Sequence, residues 1–233
     1  MRPDGRTPGE FRPIEFVRGF TTVSPGSVLV RAGRTMVLCT ASIDEGVPAW
    51  REASGAGWLT AEYDMLPGST GKRRARNRLD GRTREIERLI GRSLRSAIDL
   101  ARLGPRTITI DCDVLQADGG TRTAAINGAM VALCDALAEG RRRGLWSEEI
   151  RPTAVAAISV GVVRGEVCVD LAYSEDVAAQ VDCNLVMNER GEWIEVQATA
   201  EHGAFSDEQM RRIQESGKAA IERILGLQRE ARR

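Results

Sequence analysis

Two periodicities alternate along the chain, and their order is repeated in each half. From Gly26 to Ser42 the stretch GSVLVRAGRTMVLCTAS gives two β-rich runs around the turn signal Ala32-Gly33, which predicts a β-hairpin. GWLTAEYDMLP predicts a further strand ending at Pro67. The spacing then changes. Ile86, Leu89, Ile90, Leu94, Ala97, Ile98 and Ala101 recur at three- and four-residue steps, which predicts an amphipathic helix over 83–103 closed near Gly104-Pro105, with Arg84, Arg88, Arg92 and Arg95 mainly off the apolar stripe. Thr107 to Val114 alternates again, with Ile108, Ile110, Cys112 and Val114 on one face. The turn Ala117-Asp118-Gly119-Gly120 follows and opens an apolar helix over roughly Ala124 to Glu139.

After an Arg-rich connection ending at Pro152 the order repeats. ISVGVVRGEVCVDLAY predicts a hairpin around Arg164-Gly165, and VDCNLVMNERGEWIEVQATA another around Arg190-Gly191. A last helix starts at Ser206, where Ser206 and Gln209 form a capping box ahead of Met210, Ile213, Ala220, Ile221, Ile224 and Leu225. Two halves that each run strands and then a helix predict an α+β fold of two related β/α halves. We expect one domain over residues 1–233 with a soft internal boundary near 144–152.

Composition narrows the chemistry. At 233 residues and 42% hydrophobic, the chain suits an ordinary globular core. MRPDGRTPGEFRP has no apolar stretch like that of a signal peptide, and Ala154–Val163 is too short to span a bilayer, so the expected location is cytoplasmic. Cys39, Cys112, Cys134, Cys168 and Cys183 sit singly in apolar runs and read as buried free thiols. His202 is the sole histidine, so a His-based triad or multi-His metal site would have to rest on that one residue, and any chemistry must lean on Arg, Asp and backbone groups. Net charge is zero, yet residues 72–84 carry Lys72, Arg73, Arg74, Arg76, Arg78, Arg82 and Arg84 against Asp80 alone. Such a loop, with little aromatic content, suits phosphate-backbone contact rather than base stacking.

DGGTRT, Asp118 to Thr123, is the sharpest signal. Two glycines allow a tight turn that exposes successive N–H groups at a helix N-terminus, and Thr121 and Arg122 add donors, so the segment reads as an anion site. A plain strand–helix turn is the commoner use of such glycines; the arginine tips the balance. No Gly-Lys-Ser/Thr follows, which argues against a nucleoside-triphosphate loop. Arg82 opens a helix, where a cation is unfavourable without a nearby anion; pairing with Asp80 or Glu85 is the bland alternative. Asp176 and Asp182 flank a short stretch between two strands and suit either a divalent cation or proton transfer to a leaving group.

GSVLV, GWLTAEYDMLP, GRTREIERLIGRSLR, TITIDCDVLQADGGTRTAAI, AAISVGV, DLAYSEDVAAQVDCNLVM and IEVQATAE resemble, in order, the segments of the RNase PH family over nearly the whole chain. That resemblance implies an RNase PH-like α+β fold with mixed sheets packed against helices. It implies a phosphate-dependent 3′→5′ exoribonuclease that removes the 3′-terminal nucleotides of tRNA precursors as nucleoside 5′-diphosphates, reversibly. By the same resemblance Arg82, Gly120, Thr121 and Arg122 bind the attacking phosphate, and Asp176 and Asp182 are catalytic, either protonating the departing 3′ oxygen or holding Mg²⁺ (or Mn²⁺) against it. Arg73 and Arg76 contact RNA, which extends to other structured 3′ ends, including rRNA precursors. Inorganic phosphate is the co-substrate and a homo-hexamer, a trimer of dimers, the assembly. Gly68, Asn127, Cys183 and Ala198 depart from the family's usual Arg, Thr, Met and Gly, and the basic loop is shorter than usual. The alternatives are a non-catalytic RNA-binding subunit of an exosome-type ring and a phosphate-loop nucleotide-binding enzyme.

Overall fold

In a computed structural model describing residues 2–75, 80–201 and 203–233, the first half forms β1 (Ile14–Arg18), a strand outside the predicted runs, together with the predicted β2 (Gly26–Ala32), β3 (Thr35–Glu45), β4 (Trp58–Met65) and β5 (Arg106–Gln116). They make one sheet in the order β1-β2-β3-β5-β4. Only β4 and β5 run parallel, and the amphipathic segment between them supplies the crossover that parallel strands need. That segment is α1 (Gly81–Arg95), capped by Asp80, whose carboxylate accepts from the Thr83 N–H at 2.8 Å.

α1 is shorter than the apolar stripe predicts. It ends at Arg95, and a separate 3₁₀ turn runs Leu100–Leu103. The hydroxyls of Ser93 and Ser96 turn back to the carbonyls of Leu89 and Ser93, and the Asp99 carboxylate takes the Ala101 N–H. These side chains offer the backbone local partners other than helix continuation. Ala97 and Ile98 stay buried, so the stripe correctly marked the core while overstating the helix.

The central helix, α2 (Thr121–Arg142), is conversely longer at both ends than Ala124 to Glu139. It begins directly on the Gly-Gly turn, and Arg141 and Arg142 prolong it at the end where the macrodipole favours cations. Its small residues, among them Ala125, Ala129, Ala132 and Ala136, are fully buried. A helix apolar on all sides belongs between layers. At Gly128 a methyl group would lie 2.7 Å from a Val30 methyl and 2.8 Å from the Cys39 sulfur, so only glycine allows the helix so close to the first sheet.

The second half contributes β6 (Val155–Val163), β7 (Glu166–Val169), the single turn α3 (Tyr173–Asp176), β8 (Val181–Asn188), β9 (Trp193–Ala200) and α4 (Asp207–Ala231). Both predicted hairpins and the Ser206–Gln209 capping box are present. The sheet is ordered β7-β6-β8-β9. Alternate residues of β6 and β8 face opposite layers: Val160, Val162, Cys183 and Leu185 join α4 in a second core, while Val155, Ala157 and Val186 join the main core around α2. The layers are therefore sheet, α1 with α2, sheet, α4. Among the described residues no helix is long and apolar enough to cross a membrane.

β6 extends beyond its partner β7, whose pairing covers only Val160–Val163. Side chains close part of the exposed edge. Asn127 on α2 donates to the Ala157 carbonyl at 2.9 Å and accepts from the Ala157 N–H at 2.8 Å, and Gln228 on α4 donates to the Val155 carbonyl at 3.1 Å. The amide of Asn127 thus ties the helix of one half to the sheet of the other. Replacing Asn127 by leucine leaves two buried backbone groups unpaired, at about 1–3 kcal/mol each. A fall in melting temperature of several degrees is the expected result by calorimetry, and an unchanged melting curve would show that the bridge contributes nothing.

All five cysteines are free, and all but the half-buried Cys134 are buried. They are not all isolated: Cys39 and Cys112 are cross-strand partners with sulfurs 3.8 Å apart. Burial pushes the Cys183 thiol up to about 12, so it remains protonated in the core behind Asp182.

Candidate active site

A cleft of about 910 Å³ opens where the two halves meet, lined by Arg82, Gly120, Thr121, Arg122, Asp176 and Asp182 together with Lys72, Arg74, Ser159, Asn184 and Glu201. Each of the six residues singled out for phosphate binding or catalysis therefore faces one space. Arg82 is exposed in the first turn of α1 and has no ion pair among the described residues, so the bland pairing with Asp80 or Glu85 is not what the structure shows.

The Gly-Gly turn sits at the closest approach of the halves. Gly119 (φ +78°) and Gly120 (φ +65°) are both left-handed. A methyl group on Gly119 would lie 2.3 Å from the Leu171 carbonyl oxygen, so this position excludes every other residue. Gly120 caps α2 without any side-chain acceptor. The leading N–H groups of the helix are consequently not taken by a cap and carry its partial positive charge.

Two neighbours orient the side chains of this turn. The Tyr63 hydroxyl donates to Thr121 Oγ1 at 2.9 Å, which leaves the Thr121 proton to be directed elsewhere. Burial pushes the Tyr63 phenol upward, so it stays a donor. One amino group of Arg122 donates to Glu85 Oε1 at 3.1 Å and Gln197 Oε1 at 3.2 Å, and Gln197 itself donates to Glu85 at 3.0 Å. Arg122 is therefore held by α1 and β9 at once, and Glu85 serves the arginine of α2, not Arg82.

Across the cleft, Asp182 and Asn184 are two apart on β8 and share a face, with the Asn184 amide 3.4 Å from Asp182 Oδ2. Burial and then the charge of Asp176 raise the Asp182 carboxyl, opposed by Arg122 and Arg82. Asp176 is raised first by burial as well, against Arg82 and Arg122. The side chain nonetheless opens onto the cleft. Both arginines and both carboxylates thus act on one another electrostatically.

Asp176 and Asp182 are also the residues proposed for a metal. Among the described residues no group of three or more His, Cys, Asp or Glu could hold an ion. Two carboxylates facing a cleft with room for water and phosphate oxygens fit Mg²⁺ or Mn²⁺, which need few protein ligands when a substrate supplies the others.

Of the two proposed RNA contacts, Arg73 is exposed on the basic loop but does not line the cleft, whereas its neighbours Lys72 and Arg74 do. Arg76 lies outside the described residues, as do Asn77, Arg78 and His202. The sequence did not single out Tyr63, Gln197, Arg12 or Asp170, and it offered Glu85 only as a partner of Arg82, because their roles depend on partners far along the chain.

Two sheets with a helix layer between them, and a cleft of arginines and carboxylates at their seam, make an α+β protein of two related halves, and the chain belongs to the 3′ exoribonuclease family: residues 10–139 match its domain 1 and residues 153–220 its domain 2. Within that family it is similar to proteins named Ribonuclease PH. The one from Corynebacterium kroppenstedtii is 52% identical over 235 residues, covering 99% of this chain and 92% of the relative. The one from Synechococcus sp. (strain JA-2-3B'a(2-13)) is 55% identical over 237 residues, covering 99% and 97%. Among solved structures, rice Rrp46 superposes with a TM-score of 0.80 at 25% identity over 98% of both chains. The Archaeoglobus fulgidus exosome with RNA bound to the active site shares the fold, with a TM-score of 0.85 at 19% identity over 100% of this chain and 92% of that one.

Proposed function

We propose that this cleft is where the chain, a phosphorolytic 3′→5′ exoribonuclease, brings inorganic phosphate against the last phosphodiester of an RNA. The convergence of Arg82, the Gly120–Arg122 turn, Asp176 and Asp182 on one cleft carries the reading. An anionic nucleophile must approach an anionic diester in line. Arg82, Arg122, the Thr121 hydroxyl and the leading N–H groups of α2 lower that repulsion and fix the attacking oxygen. The oxygen bonds to phosphorus, the bond from phosphorus to the 3′ oxygen breaks, and a proton reaches the departing oxygen. The products are a nucleoside 5′-diphosphate and an RNA one nucleotide shorter. Asp182 is the nearer to a proton carrier because its carboxyl is raised and partly buried, with Asp176 as the partner whose charge raises it.

In the alternative role, Asp176 and Asp182 would hold Mg²⁺ or Mn²⁺, which would neutralise charge on the phosphate oxygens. Lys72 and Arg74 on the cleft wall, and Arg73 and Arg76 beside them in sequence, carry the RNA backbone. The substrate class is the 3′ end of precursor tRNA and other structured RNA such as rRNA precursors, in the cytoplasm. The assembly is a homo-hexamer built of single-domain chains with a soft boundary at 144–152.

The test is incubation of the protein with a tRNA bearing a short 3′ extension, in Mg²⁺ buffer with and without phosphate, and identification of what is released. Diphosphates released only with phosphate are expected. Monophosphates without phosphate would mean hydrolysis, and RNA binding without release would favour a non-catalytic ring subunit.

A further inference from the structure

Residues 2–12 wrap onto the seam between the halves, and their arginines converge on two carboxylates. Arg2 forms a two-pronged pair with Glu175 at 2.7 Å and 2.7 Å. Arg12 forms another with Asp170, at 2.8 Å to Oδ2 and 2.7 Å to Oδ1, and the Arg12 N–H adds a third bond to Oδ2 at 2.8 Å. Arg6 reaches both carboxylates at 3.3 Å and 3.5 Å. Arg2, Arg12, Asp170 and Glu175 are all buried.

The fork of Arg12 does more than satisfy Asp170. Its two amino groups also donate to the carbonyls of Asp118 and Gly119, the latter at 3.3 Å. Thr35 pins the same turn from the other side, donating to the Gly119 carbonyl at 2.7 Å and accepting from the Asp118 N–H at 3.0 Å. Asp170 itself stands at φ +55°, a conformation that costs energy in a residue with a side chain, and its N–H is held by the Ser159 carbonyl at 2.7 Å. Six residues after Asp170 comes Asp176, and Ser159 lines the cleft.

We propose that Arg12 and Asp170 are positioning residues, an ion-pair clamp that fixes the phosphate turn of the first half against the segment of the second half that leads to Asp176. The inference rests on the assignment of the Gly120–Arg122 turn to phosphate. Arginine is required because one planar fork meets a carboxylate and two carbonyls at once; lysine, a point charge, cannot. The clamp sets the spacing between the nucleophile and the carboxylates across the seam. A displacement of about 1 Å in such a spacing costs on the order of a hundred-fold in rate.

The experiment compares Asp170→Asn, Arg12→Lys and the wild type for kcat, KM for phosphate and KM for RNA, with melting curves recorded alongside. Both variants are expected to raise KM for phosphate and lower kcat, together by roughly ten- to hundred-fold in kcat/KM, with KM for RNA unchanged because the basic loop is untouched. A folded Asp170→Asn with wild-type phosphate kinetics overturns the clamp, and so does wild-type behaviour of Arg12→Lys, which would show that charge alone suffices. Should Asp170→Asn not fold, Arg12→Lys decides, since it keeps the charge and loses the fork: a raised KM for phosphate supports the clamp and an unchanged one overturns it. Failure of the underlying assignment is separately visible, because Arg122→Ala would then leave the phosphate-dependent release of diphosphates unchanged.

Discussion

Arg122→Ala is expected to lower phosphate-dependent turnover by at least about a hundred-fold, the scale on which removal of one preorganised oxyanion donor acts. Two effects add. The substitution removes a cation from the phosphate turn, and it leaves the half-exposed Glu85, whose carboxylate Arg122 meets at 3.1 Å, with Gln197 alone as partner and its negative charge beside an anion site. RNA binding should persist, since Lys72 and Arg74 lie on a different element. The check is single-turnover release of diphosphates across a phosphate titration, with binding of the same RNA measured by anisotropy. Turnover unchanged from wild type would remove Arg122 from the phosphate site. A double variant with Glu85→Gln separates the contributions: partial recovery is expected if repulsion by Glu85 is part of the loss.

Asp182→Asn is expected to produce two changes of opposite sense. Turnover should fall by at least about a hundred-fold, because an amide neither carries the proton nor holds a divalent ion. Stability, measured in chelator, should rise at neutral pH. The Asp182 carboxyl is raised by burial and by Asp176, so its ionised form is held against its preference. A carboxyl raised in the fold contributes stability that is present below its unfolded value and lost as pH rises through its folded value. The variant should therefore gain on the wild type as pH rises toward neutrality and match it in acid. A gain of about 1 kcal/mol corresponds to about 2–4 °C in a chain of this size. Turnover near wild type would remove Asp182 from the chemistry, and a melting temperature no higher than wild type would refute the reading of the pair as mutually repelling.

Much of the site was legible because its parts are local. DGGTRT announces a turn at a helix start, and its left-handed glycines and absent side-chain cap are properties of four consecutive residues. Arg82 stood out because a cation is misplaced in a first helical turn. The basic loop was legible as charge, but not residue by residue: Lys72 and Arg74, not Arg73, turn toward the cleft, since side-chain direction in a loop has no period to read.

By itself the sequence determined the order of the main strands and helices from Gly26 onward, the hairpin turns at Arg164-Gly165 and Arg190-Gly191, the cap at Ser206, and four of the charged residues that line the cleft, Arg82, Arg122, Asp176 and Asp182. These follow from periodicity and from contacts within a few residues. Helix ends were displaced where serine and aspartate side chains competed for the backbone, as at Ser93, Ser96 and Asp99. Only the tertiary structure decided that Asn127 closes the edge of β6, that Tyr63 aims Thr121, that Glu85 and Gln197 share Arg122, and that Arg12 clamps Asp170. The members of these sets lie between 30 and 158 residues apart. No local pattern encodes such pairs, because a buried polar group needs a partner but its own neighbourhood does not say which one packing will deliver.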